Sequence, residues 1–218
     1  MATILRRSVI PPPSALAVGA VFGAATSSAN AAATLTVDLE SVEATIRGWS
    51  IMEIVSILLD AGWARAGLGV LAGWWATRGQ GGALTGRRLA RGAVAGVMAL
   101  PAAYCVADTI VHDVPSGSYL YDTVYWGVAS AMAGPVLGAI GACAGHPGAI
   151  GVLARLTVPV GAAVQMVVLP PGRNDAVRSI GQRVVGTAAT VAVSLVIARF
   201  LRLRRRASRA ETAGDHLG

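Results

Sequence analysis

Four ionisable residues, Asp60, Arg65, Asp108 and Arg155, stand inside or at the edges of long apolar runs. A charge at membrane depth is costly, so such residues face a bundle interior or a water-filled cavity and are candidates for function. Asp60 and Arg65 sit near the start of one run, and Asp108 near the end of the next. If those runs cross a membrane in opposite directions, Arg65 and Asp108 reach similar depth and could pair across the two helices. With Tyr104, and with Asp122 at the start of the following run, they would line a polar cavity able to hold a small solute or ion. Arg155 stands about two turns into a later run, from which its long stem can return the guanidinium to the surface. The competing reading is an ion pair that only fixes helix packing. Gln165 is expected to bridge two helices by a hydrogen bond.

Other chemistries find little support. His112, His146 and His216 lie at run ends or in the tail, with no HExxH and no His/Cys cluster, so a metal site is not expected. Cys105 and Cys143 lie in apolar runs without a CxxC spacing. Gly79-Gln80-Gly81-Gly82 lacks the strand, helix and Lys of a phosphate loop, and no Gly-x-Ser-x-Gly elbow occurs. The expectation is therefore no catalytic residue, no cofactor and no enzyme.

The elements that must position the four residues follow from composition and run length. Only 13% of the 218 residues are charged, against about 25% in soluble domains. A membrane span needs roughly 20 mainly apolar residues. Such runs predict an all-α, polytopic transmembrane helix bundle of about six spans, at 14–33, 61–77, 92–111, 122–145, 149–169 and 184–201. Residues 1–13 precede it. Arg6-Arg7, the apolar run after Pro11-Pro12-Pro13 and the Ala29-Asn30-Ala31 end also describe a signal peptide, but a retained first span is the preferred reading. The segment 38–60 reads as interfacial, with Leu39, Val42 and Ile46 on one helical face. Ile51 to Leu59 is too short to span alone, and either extends the next helix or lies on the surface. Arg173, Asp175, Arg178 and Arg183 read as a polar loop, and 202–218 as a basic, disordered tail.

All 18 basic residues are Arg and the formal net charge is +7. With the N-terminus inside, Arg6, Arg7, Arg78, Arg87, Arg88, Arg91, Arg202, Arg204, Arg205, Arg206 and Arg209 fall inside, 11 against the outer 4 of Arg47, Arg173, Arg178 and Arg183. Positive residues favour the cytoplasmic side, which predicts both termini in the cytoplasm. The same distribution argues against nucleic acid as the partner. Anionic lipid at the arginine tail is the expected one.

Small residues let helices approach closely in lipid. Gly19/Gly23, Gly69/Gly73, Gly92/Gly96 and Gly134/Gly138 are spaced by four, and Gly141 and Gly145 extend the last pair along one helix face. That face is expected to be a close packing surface. Pro101, Pro135 and Pro159 are expected to kink their spans.

The stretch from Asp60 through Trp63, Arg65 and Gly73 to Trp74, the Tyr104 region, and Trp126 with the Gly-rich run after it resemble a family of small multi-spanning membrane proteins of GC-rich actinobacteria. The resemblance implies a location in the plasma membrane and brings no known activity or catalytic residue. Two functions are expected. One is the binding or movement of a small solute or ion near the outer leaflet. The other is a non-catalytic scaffold or accessory subunit, whose small-residue faces bind a second copy or a partner membrane protein.

Overall fold

The computed structural model describes residues 12–36, 49–78, 84–111, 120–170, 172 and 174–215. The side chains of 12–14, 34–36, 101–111, 120–123, 126, 207 and 209–215 lie outside that description. Among the described residues the chain is all-helical. The helices are α1 (Pro12–Thr36), α2 (Ile51–Asp60), α3 (Gly62–Thr77), α4 (Gly86–Val111), α5 (Leu120–Cys143), α6 (Ala149–Val168) and α7 (Asp175–Asp215). Three stretches are long and apolar enough to cross a membrane: Ala15–Ala33, Ala149–Val168 and Asp175–Arg206. A fourth forms if α2 and α3 are taken as one span bent by 57°.

Glycine and alanine hold the bundle of α1, α3, α4 and α5 together. In α1, Ala15, Gly19, Gly23 and Ser27 recur every four residues and are all buried, which is one continuous helix face. Ala15 joins Leu68 and Ala72 of α3 and Ala95, Ala99 and Leu100 of α4 in one core cluster. Gly138 of α5 is the closest crossing. A Cβ on Gly73 or Gly92 would collide with the Gly138 carbonyl, and one on Gly96 with the Gly134 carbonyl. Gly141 meets the Val70 carbonyl in the same way. The glycine face expected on the fourth span is thus a packing surface, and its partners are helices of the same chain. Backbones this close gain dispersion and weak C–H···O contacts that a side chain would forbid.

The α6–α7 hairpin lies against α3 and α2. Its core is Ala162 and Met166 with Val185, and Leu58 and Trp63 pack onto it. Gly172 in the connection has φ 140°, a region open to glycine and strained for other residues. Pro135 and Pro159 lie inside α5 and α6.

Three expectations need revision. Against the interfacial reading of 38–60, Ile51–Asp60 extends the next helix across a break, the first of the two alternatives; residues 38–48 lie outside the described residues. The signal was Ser50-x-x-Glu53, a capping-box pattern: the Glu53 N–H donates to Ser50 Oγ at 3.1 Å and starts the helix at 51. The polar loop expected around Arg178 is helical from Asp175, because Asn174 Oδ1 accepts the Val177 N–H at 2.9 Å and caps α7. The tail expected to be disordered stays in α7 to Asp215. Arg, Ala and Leu favour helix, and the apolar stretch before them has already met the nucleation cost.

Candidate polar site

The break between α2 and α3 brings the first charged pair together. Ala61 is at once the C-cap of α2 and the N-cap of α3, with φ −63° and ψ 144°. An extended residue there leaves the first amides of α3 without helical acceptors. The Ala61 carbonyl takes the N–H of Ala64 at 3.0 Å. The Trp63 N–H donates at 2.8 Å to Oε1 of Gln165, from α6. Gln165 is therefore an interhelical hydrogen-bond partner, and its bond serves as a helix cap. Gln182 of α7 does the complementary task, donating to the Met166 carbonyl in the last turn of α6 at 2.8 Å.

Arg65 forms an ion pair with Asp60 across the break. Asp60 ends one helix and Arg65 opens another, so each sits at the helix end its charge disfavours. Pairing offsets both penalties. The partners are 23% and 53% exposed, Arg65 the more buried. Asp60 is a neighbour in the same chain segment and needs no second helix to be in register, whereas the expected pairing of Arg65 with Asp108 falls on a side chain outside those described. The Tyr104 and Asp108 side chains lie outside those described, as do Asp122 and Cys105.

Sequence reasoning missed a second set of polar groups at this end of the bundle. Glu53 is 5% exposed, Thr26 and Ser27 are buried, and Ser56 of α2 hydrogen-bonds Asn30 of α1. Thr26 returns its hydroxyl to the Phe22 carbonyl. Ser27 Oγ and Trp63 Nε1 are buried with no hydrogen-bond partner among the described residues. The signal was present: Ser27 falls on the same four-residue repeat as Ala15, Gly19 and Gly23, which points it inward.

Arg155 belongs elsewhere. Its Nε donates to the Ala144 carbonyl at 2.8 Å, just beyond the C-terminus of α5. That end also holds Thr77, whose hydroxyl donates to the Gly73 carbonyl at 2.9 Å, and Arg78, stacked over Trp74 and Trp75 at 5.2 and 5.6 Å. Arg88, 5% exposed, reaches Gly145 there. The five candidates thus divide. Asp60 and Arg65 meet at the helix break, Arg155 sits at the opposite, arginine-bearing end, and two side chains are not described. No group of three or more His, Cys, Asp or Glu suited to a metal occurs among the described residues.

Fold and site together define the class: an all-helical chain, among the described residues, with three or four stretches long and apolar enough to cross a membrane, a broken helix and a polar seam at one end of its bundle. No family model, curated protein or solved structure matches the chain.

Proposed function

We propose that this chain is a multi-pass plasma-membrane protein of about six spans, with both termini cytoplasmic, that binds or moves a small solute or ion through its outer half. It is read as non-enzymatic, and the resemblance to the actinobacterial family is part of the same reading. Topology rests on the arginine bias together with the alternation of helices. Ala15 of α1 packs near Ala72 and Ala95, while Arg199 of α7 lines the same cavity as Trp74. The start of α1 and the end of α7 then share the arginine-bearing end, as an even number of crossings requires.

The observation that carries the solute reading is the break at Ala61. Non-helical backbone at membrane depth is tolerated where it is covered by protein or lines a cavity, and broken helices build binding sites in many transporters. Here the break carries an ion pair, a Gln165 cap and, close by in sequence, a buried Trp63 indole N–H with no acceptor among the described residues.

The test is reconstitution of the full chain in liposomes. Proton, sodium, potassium and chloride fluxes are followed, beside a thermal-shift screen of ions, amino acids and sugars. Flux or a shift that disappears in Asp60→Asn and Arg65→Gln supports the proposal. Fluxes equal to those of protein-free liposomes, with no shift in the screen, remove it.

The scaffold reading has one observation in its favour. Among the described residues, nothing covers Gly127, Gly161 or Gly186, so α5, α6 and α7 each keep a small-residue position that no described helix occupies. Cross-linking of a second copy through cysteines placed at 161 or 186 would favour that reading.

A further inference from the structure

A cavity of about 580 Å³ lies at the arginine-bearing end, away from the helix break. Gly67, Val70 and Leu71 of α3 form one wall, and Val158 of α6 and Leu195 of α7 the other. Two guanidiniums, Arg155 and Arg199, line it as well. Arg155 is held through Nε by Ala144, and its terminal nitrogens have no carboxylate partner among the described residues. Arg199 is exposed and forms no ion pair among those residues. The described acids Glu53, Asp60 and Asp175 belong to the far end of the bundle.

Charges beside apolar surface are stable only when compensated, and among the described residues no anion is supplied here. A ligand must therefore bring negative charge. The walls ask for hydrocarbon as well, and the flanking Leu153 and Leu195 are 67% and 65% exposed, so the groove opens sideways to lipid. We infer that the groove between α3, α6 and α7 is a binding site for an anionic phospholipid. The phosphate sits against Arg155 and Arg199, and an acyl chain lies along Gly67, Val70 and Leu195. The guanidinium fork matches phosphate oxygens in pairs. Trp74, which also lines the cavity, is of the type favoured at headgroup level. Arg202 and Arg206 continue the α7 face of Arg199 at spacings of three and four, leading from headgroup depth into the cavity. Free phosphate would leave the apolar walls empty, and a neutral lipid would leave the guanidiniums uncompensated. The site stands apart from the proposed solute pathway and does not depend on it.

The experiment uses the full chain in detergent, titrated with phosphatidylglycerol, phosphatidylcholine or inorganic phosphate. Binding is read by native mass spectrometry and thermal shift. Phosphatidylglycerol is expected to bind in preference to the other two. Arg155→Gln with Arg199→Gln should weaken it about thirtyfold, each arginine near a membrane contributing about fivefold. Val196→Trp, which fills the cavity and keeps both charges, should weaken it as well. Replacing Arg202, Arg204, Arg205 and Arg206 with Gln should leave most of the binding. Equal binding of phosphatidylcholine, a matching shift with inorganic phosphate, or loss only with the four tail substitutions would overturn the inference. Should the double variant fail to fold, Arg199→Gln alone, at an exposed position, carries the same comparison.

Discussion

The backbone N–H of Trp63 is capped by the side chain of Gln165, a residue 102 positions further along the chain. This bond joins the start of α3 to the last turns of α6, so the geometry of the helix break depends on the hairpin that follows much later. Gln165→Leu removes the acceptor and leaves a part-buried amide unsatisfied. Loss of a cap is worth about 1 kcal/mol. The expected result is a lower unfolding midpoint in detergent, with Gln165→Glu, which keeps an acceptor oxygen, closer to wild type.

Gly138 is among the positions least able to accept a side chain. Gly138→Val should destabilise by about 1–3 kcal/mol, as overpacking does, because its Cβ meets the Gly92 backbone, which cannot rotate away as a side chain can. Gly186→Ala, at an open position, should stay within about 0.5 kcal/mol of wild type. Retained helicity with a loss of monodisperse protein after heating would report the first, and an unchanged profile the second.

The Asp60–Arg65 pair is too exposed to hold the fold by itself. A double-mutant cycle with Asp60→Asn and Arg65→Gln should give a coupling below about 1 kcal/mol, falling with salt. Stability close to wild type together with lost solute response would separate a working pair from a packing device. A coupling of several kcal/mol would mean that the pair is packed away from water.

Cys143 is a free, half-buried thiol at the end of α5, beside the arginine-bearing loops. With Cys105 replaced, a membrane-permeant maleimide should modify it, and a charged, impermeant one added outside intact cells should not. Labelling by the impermeant reagent would invert the proposed orientation.

Much of the architecture was legible because apolar run length is a strong signal. The run at 149–169 matches α6, Ala149–Val168, to within a residue, and the glycine spacing at 134, 138, 141 and 145 located the densest crossing. The site was harder to read. Asp60 and Arg65 could be selected by type, but not their pairing, because it depends on a backbone break at Ala61, and Gly62 beside it is one of many glycines in these apolar runs. Five residues of chain are enough to bring Asp60 within reach of Arg65. Glu53 and Ser56 were hidden because their segment was read as surface. Only the cap at Ser50 and the inward face of α1 show that it is packed.

The length of α7 has a consequence of its own. At about 1.5 Å per residue, the stretch from Arg202 to Asp215 adds roughly 21 Å of continuous helix beyond the apolar part. The screening length in physiological salt is about 8 Å. The helix therefore outruns the electrostatic field of a lipid surface within its own length. With α7 standing along the membrane normal, arginines near its root would feel the headgroups, while the tip would reach bulk solution. Whatever meets that tip does so from the aqueous side, without the membrane drawing it in.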